Sequence, residues 1–220
     1  MPDFASDAES SRAEKVALRT RLLAARRSKS PENLSSAALA TRSTLLTAIR
    51  TQSPTVIAAY VPLGPEPGGP ELPEALRSVH ATPAPLPGPF HSAHSPVILL
   101  PVLLPDGDLD WALYESPSSL QSGARGLLEP VGRRLGVAAV SEASFVVVPA
   151  LAVDRRGVRM GRGGGSYDRA LARVAPTAFT VALLHDGELV DTVPAEPHDR
   201  RVGATITPTE GLSAPPDWTK

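Results

Sequence analysis

The chain contains no cysteine. Disulfides, thiolate metal sites and cysteine nucleophiles are excluded together, and a reducing compartment is the expected setting. Neither sign of charge is in excess, with 22 lysines and arginines against 23 acids and a formal net charge of −1. Electrostatics therefore gives no reason to expect nucleic acid or an anionic membrane as the main partner. Long hydrophobic runs are also missing. The two longest, Phe145–Val153 and the proline-interrupted Pro96–Pro105, are about half of the ~18–20 residues a spanning helix requires. The opening MPDFASDAES is acidic and has no apolar stretch of the kind a signal peptide carries. No internal repeat is found. Lysine is scarce, since nineteen of the 22 basic residues are arginine, a bias that codon usage explains as readily as function. These absences describe a soluble, cytoplasmic protein.

At 220 residues the chain lies between one average domain and two. A chain of this size buries roughly 70% of its unfolded surface and needs no covalent staples. Twelve of the 24 prolines fall between Pro62 and Pro105, so the proline excess is local and no sign of global disorder. Residues 1–10 read as a disordered N-terminus, 11–210 as a single α/β domain and 211–220 as a tail.

A first helix is expected over Arg12–Arg27. Ser30-Pro31 opens a second one, with an N-cap followed by proline at the first helical position. Leu34, Ala38, Thr41, Leu45 and Ala48/Ile49 then recur at helical spacing as a core-facing stripe. The period changes at Thr55–Val61, a β-branched apolar run expected to be a buried strand. It ends in the turn-rich PLGPEPGGP, which carries Glu66. Glu71–His80 is a short helix candidate and Ala81–Ser95 a proline-rich surface segment. Val97–Leu104 is a strand in which Pro101 implies an edge or a bulge. Asp108–Tyr114 alternates as a half-buried strand after a PDGD hairpin turn. Ser116–Glu142 is weakly patterned. Phe145–Val153 is the most apolar strand, Ser166–Val174 is helical, and Thr177–Leu184 and Val202–Thr207 are further strands. Strands alternating with helices, apolar on both faces, indicate an α/β sheet covered by helices.

The strongest chemical signal is Arg159-Met160-Gly161-Arg162-Gly163-Gly164-Gly165-Ser166-Tyr167-Asp168-Arg169. It follows the most apolar strand and precedes a helix. Its glycines leave backbone N–H groups free to converge, and three arginines add full charges, which together suit a phosphate. No Gly-Lys-Ser/Thr follows, so it is not a Walker A loop; Ser166 at the third glycine position departs from the dinucleotide fingerprint. The alternative is a flexible turn with solvated arginines. Asp168 either offsets the helix dipole or ligates Mg²⁺ beside bound phosphates, because Mg²⁺ takes one or two carboxylates plus phosphate and water. On the first helix, at ~100° per residue, Arg12, Lys15, Arg19 and Arg26 fall within a ~60° sector flanked by Leu22 and Leu23. Cations set between apolar residues point at an anion or snorkel round the core edge. Glu66 follows a strand end, where ligands collect in open α/β sheets. Pro194–Arg201 contains a second acid that could approach a metal. His91 and His94 are spaced as a metal pair without a third ligand.

The stretch PALAVDRRGVRMGRGGGSYDRAL resembles the signature of the 5-formyltetrahydrofolate cyclo-ligase family, which runs Gly-x-Arg-Leu-Gly-x-Gly-Gly-Gly-Tyr-Tyr-Asp-Arg after a strand and an acid. Lys15-x-x-x-Arg19 resembles the family's Lys-x-x-x-Arg helix. Tyr60-Val61-Pro62 with Glu66 resembles its substrate loop, Gly126–Pro130 its Gly-Ile-x-Glu-Pro element, and Val193-Pro194 through His198-Asp199 its late Pro…His-Asp segment. The resemblance covers about residues 15–210. It implies a three-layer α/β/α sandwich akin to the ribose-5-phosphate isomerase and CoA-transferase group. It also implies ATP- and Mg²⁺-dependent cyclisation of 5-formyltetrahydrofolate to 5,10-methenyltetrahydrofolate through a phosphorylated formyl group. By the same resemblance Lys15 and Arg19 bind ATP phosphates, and Arg159, Met160, Gly161, Arg162, Gly163, Gly164, Gly165, Ser166 and Tyr167 form the nucleotide loop. Arg162–Ser166 also lie near the folate, which Val61 and Glu66 contact. Asp168 and Asp199 hold Mg²⁺, with Arg162 and Asp168 as the catalytic groups of a monomeric enzyme. Ser166 stands for the first of a usual tyrosine pair, and Arg162 where tyrosine is common. Two other readings keep part of the pattern: an ATP-dependent enzyme on another small substrate, and a non-catalytic folate or nucleotide sensor. The joint presence of Lys15, Arg19, Glu66, Asp168 and Asp199 argues against the sensor.

Overall fold

A computed structural model describes residues 4–79, 95–196 and 199–214. Helix α1 (Phe4–Arg27) begins ahead of the expected start at Arg12. Helix α2 (Pro31–Gln52) starts as its sequence predicts: the Ser30 hydroxyl accepts from the Asn33 N–H, and Pro31 fills a first-turn position whose N–H would have no partner. Its buried stripe is Ala38, Thr41, Leu45, Ala48 and Ile49. There follow β1 (Val56–Ala58), α3 (Leu72–Arg77), β2 (Val97–Leu103), β3 (Leu109–Leu113), β4 (Leu120–Ser122) and β5 (Leu128–Pro130). The chain continues through β6 (Phe145–Pro149), β7 (Ala152–Asp154), β8 (Arg159–Met160), α4 (Ser166–Leu171), β9 (Phe179–Leu183), β10 (Leu189–Val190), β11 (Ala204–Thr207) and β12 (Gly211–Ser213). The histidine pair at 91 and 94 falls outside the described residues.

The main sheet has the order β12-β11-β9-β6-β1-β2-β3. Its five inner strands run parallel, and an antiparallel strand closes each edge. The 211–213 stretch, read as part of a tail, is one of those edge strands. In β6 successive side chains alternate faces. Phe145 and Val147 pack with Leu45 and Ile49 of α2 and Leu72 and Leu76 of α3. Val146 and Val148 pack on the other face with Trp111, Ala170 of α4 and Val140 of a 3-10 turn. Helical layers on both faces make this an α/β/α sandwich. Among the described residues no helix is long and apolar enough to cross a membrane.

Two expectations are corrected. The run Phe145–Val153 is two strands in different sheets: β6 lies in the main sheet, and β7 pairs with β8 and β10 in a small one. The run stays apolar across the break because Leu151 and Ala152 are covered by Leu22 of α1. Continuous burial hides the change of direction. Pro101, expected at an edge or bulge, lies inside β2 opposite Trp111. It is tolerated because pairing with β1 ends at Leu99, so no partner on that side waits for the missing N–H.

The start of β3 is tied to the segment after α4 by Asp108, whose carboxylate accepts from Arg173 Nη1 at 2.9 Å and Nη2 at 2.6 Å. The Arg173 guanidinium, aided by the Leu109 N–H, holds Asp108 below its ordinary value of 3.8 despite burial. A lowered carboxylate stabilises the fold above its unfolded pKa and loses that contribution as pH falls through the folded one. Asp108→Asn is therefore expected to cost about 1–3 kcal/mol at pH 7. The gap to the unaltered protein should shrink below pH 3.8; urea unfolding across pH reads both.

Candidate functional site

A cleft of about 690 Å³ opens where β1, β2 and β6 present their carboxyl ends. Every site residue named from the sequence lines it: Lys15 and Arg19 from α1, Val61 and Glu66 from the loop after β1, the whole of Arg159–Asp168, and Asp199.

The cations are placed by specific partners. Lys15, 9% exposed, donates from Nζ to Asp199 Oδ2 at 2.7 Å and Glu196 Oε2 at 3.1 Å. Arg19 Nε donates to the Gly161 carbonyl at 3.2 Å, which joins α1 to the glycine loop. Arg159 is 4% exposed, and its Nη2 meets Asp168 Oδ1 at 2.7 Å. The Arg200 N–H shares that oxygen at 3.2 Å. Arg162 Nη2 pairs with Glu66 Oε1 at 2.9 Å, while Glu66 Oε2 accepts from the Leu63 N–H at 2.8 Å. Arg159 is thus paired within its own loop, and Arg162 with an acid from the distant loop after β1. Two buried polar atoms in this region have no partner among the described residues, Arg159 Nε and the Tyr167 hydroxyl. Burial, with the Glu66 charge close by, pushes the Tyr167 phenol well above its ordinary value, so it stands as a neutral donor.

Arg26 departs from the other cations of its sector. It is 2% exposed and forms a two-pronged pair with Glu188, Nε to Oε1 at 2.7 Å and Nη2 to Oε2 at 2.8 Å. Its anion is internal. All four cations line the cleft, but their partners divide them: Lys15 and Arg19 bond to residues of the cleft, Arg12 is exposed, and Arg26 joins α1 to the turn after β9.

The glycines do identifiable work at Gly163. Its φ is +100°, and a Cβ there would lie 3.4 Å from the Arg19 guanidinium. Gly163→Ala is expected to cost about 1–2 kcal/mol through the left-handed backbone, the added methyl making only an ordinary contact with Arg19. A lowered urea midpoint would show it. Ser166, where the family's motif has tyrosine, donates from its hydroxyl to the Gly107 carbonyl, and Arg169 Nη2 reaches the same oxygen at 2.6 Å. The start of α4 is thereby fastened to the β2–β3 hairpin. Glu196 and Tyr60 also line the cleft and had no assigned role from the sequence. Glu196 belongs to the PAEPHD segment already singled out, and Tyr60 to the Tyr60-Val61-Pro62 match, in which only Val61 was given a role.

The match to the 5-formyltetrahydrofolate cyclo-ligase family model spans residues 11–208. The chain belongs to that family. A 5-formyltetrahydrofolate cyclo-ligase of Mycolicibacterium smegmatis is 39% identical over 163 residues, covering 72% of this chain and 76% of the relative. One from Escherichia coli is 32% identical over 120 residues, with 51% and 64% covered. The solution structure of Aquifex aeolicus 5,10-methenyltetrahydrofolate synthetase superposes with a TM-score of 0.73 at 25% identity, covering 94% of this chain and 95% of that one. A Mycoplasma pneumoniae 5,10-methenyltetrahydrofolate synthetase shares the fold, with a TM-score of 0.65 at 16% identity. The chain is accordingly an enzyme of the ligase class, and the α/β/α sandwich implied by its motifs is the fold of these neighbours.

Proposed function

We propose that the chain converts 5-formyltetrahydrofolate to 5,10-methenyltetrahydrofolate, with ATP hydrolysed to ADP and phosphate. The observation that carries this reading is the convergence in one cleft of the Arg159–Asp168 loop, the α1 cations and the Glu66 loop, in a chain of this family. The carbonyl oxygen of an N-formyl group is a poor leaving group. Its attack on the γ-phosphate of ATP forms an O–P bond as the bond to ADP breaks. N10 then adds to the activated carbon, loses its proton, and the C–O bond breaks to release phosphate.

The protein's part is positioning and charge stabilisation, as phosphoryl transfer requires. Lys15, Arg19 and Arg159 bind the phosphates, and Arg162, half exposed at the cleft, meets the charge that develops on the transferred group. The backbone from Met160 to Tyr167 frames nucleotide and folate, and Val61 and Glu66 contact the folate. Asp199 pairs with Lys15, Asp168 with Arg159 and Glu66 with Arg162, while Arg12, Arg19 and Arg125 also line the cleft. Among the described residues the lining thus carries more cations than acids, which suits the phosphates of ATP.

The acids also fit a magnesium ion. Asp168 and Asp199 line the same cleft, and no group of three or more metal-ligating side chains occurs among the described residues. Few carboxylates suit an ion that arrives on phosphate with its waters. Asp168 and Asp199 would hold it, and bound there it supplies positive charge to the phosphates. We place this activity in a cytoplasmic monomer. The test is turnover of 5-formyltetrahydrofolate with Mg²⁺ and ATP, followed by absorbance of the methenyl product against an ATP-free control. ATP-dependent product is expected. Folded protein that binds Mg²⁺-ATP without product would move the reading to another substrate.

A further inference from the structure

The loop that carries Glu66 holds itself only in part: the Glu66 N–H donates to the Leu63 carbonyl and the Leu72 N–H to that of Gly69. Pro62, Pro65, Pro67 and Pro70 have no N–H to donate, and the carbonyls of Pro65, Pro67 and Gly68 take their donors from side chains. Three side chains on separate elements supply them. The Tyr60 hydroxyl donates to the Pro67 carbonyl at 2.7 Å, and Arg42 Nη1 of α2 donates to the Gly68 carbonyl at 2.7 Å. The third is His185, whose Nε2 lies 2.9 Å from the carbonyl of Pro65, the residue before Glu66. A carbonyl only accepts, so Nε2 carries the proton in this tautomer.

His185 is itself fixed from behind. It is 3% exposed at the end of β9, and its N–H donates to Glu188 Oε2 at 2.8 Å. Glu188 is gripped by Arg26, which also donates to the Ala150 carbonyl at 2.6 Å. Burial pushes the imidazole below its ordinary 6.5, so at neutral pH the ring is uncharged and acts through this hydrogen bond. A continuous chain of contacts then runs from α1 through Arg26, Glu188 and His185 to Pro65, and so to Glu66 facing Arg162. His185 does not line the cleft.

We propose that His185 is a positioning residue for the folate-binding acid: by holding the Pro65 carbonyl it sets the carboxylate of Glu66 against Arg162 and the incoming folate. The proposal rests on the folate role given to Glu66 above. His185→Phe keeps the ring's bulk and removes the donor, and His185→Gln restores an N–H. The phenylalanine variant is expected to raise KM for 5-formyltetrahydrofolate about tenfold, the scale of one lost hydrogen bond. KM for ATP should change less than about twofold, because Lys15, Arg19 and Arg159 are untouched, and any fall in kcat through Arg162 should be smaller than the rise in KM for the folate. The glutamine variant should recover part of the loss. In a Glu66→Gln background, His185→Phe should add no further rise in KM.

Equal changes for both substrates, a fall in kcat alone, or additive effects in the double variant would show a merely structural role and overturn the proposal. Amide hydrogen exchange provides a readout independent of turnover. In His185→Phe the Leu63 amide, which donates to Glu66, should exchange faster while amides of β6 and β9 keep their protection. An unchanged Leu63 amide would overturn the positioning role. Absence of turnover by the unaltered protein would overturn the proposed reaction, leaving the exchange result to decide the loop-holding role by itself.

Discussion

Asp168→Asn is expected to lower kcat for 5-formyltetrahydrofolate cyclisation by about 10²–10³-fold, the range for removing one preorganised charge-stabilising group. The substitution is nearly isosteric. Asparagine keeps an acceptor for Arg159 Nη2 and for the Arg200 N–H, both of which bond to Oδ1. It loses the negative charge that balances a guanidinium with 3% side-chain exposure and offers magnesium a carboxylate. The retained acceptor should keep the fold intact, with a stability loss of about 1–3 kcal/mol from the unbalanced guanidinium. Circular dichroism should superpose on that of the unaltered protein, and a titration with magnesium should require a higher concentration for half-maximal rate. Unchanged kcat in a folded Asp168→Asn protein would remove Asp168 from the site. A lost fold with normal turnover per folded molecule would make it a structural partner of Arg159 and nothing more.

The candidate site was legible where its chemistry is local in sequence. Glycines, arginines and an acid packed into Arg159–Asp168 announce an anion-binding turn, and Lys15 and Arg19 are four apart on one helical face. The pairings themselves were not legible. Lys15 meets Asp199 across 184 positions and Arg26 meets Glu188 across 162, separations that carry no periodic signal. The angle alone put Arg26 with the other cations that line the cleft; only the fold shows an acid from the turn after β9 beside it. The same limit appears in the backbone. α2 was readable because a cap and a long stripe reinforce each other. The two-stranded ribbon β4–β5 has three residues a side, too few for alternation to show, and the 3-10 turns beside it have no apolar period to find. In the run from Phe145 to Val153 the signal was strong and still misleading, because hydrophobicity reports burial and says nothing of which sheet does the burying.

The largest stability effect is expected at the Arg26–Glu188 pair. Both residues are nearly inaccessible, at 2% and 4% exposure, and both prongs of the guanidinium are engaged. Removing one partner leaves the other charged and desolvated, at a cost of about 3–5 kcal/mol. In a chain of this length that lowers Tm by roughly 10 °C, at ~2–4 °C per kcal/mol. Arg26→Met and Glu188→Leu should each show this loss. The double variant should recover most of it, because no unpaired charge then remains inside, and calorimetry of the four proteins forms a complete cycle. Arg26→Lys should fall between, since an ammonium cannot span both carboxylate oxygens and the Ala150 carbonyl in the same geometry. Singles that lose less than about 1 kcal/mol would show the pair to be solvated, as surface ion pairs are. A double variant as unstable as the sum of the singles would show each residue acting through packing rather than charge. Glu188 also accepts from the His185 N–H, so the Glu188 variant should loosen the Glu66 loop as well as the helix. The Arg26 variant keeps that acceptor and should loosen the loop less.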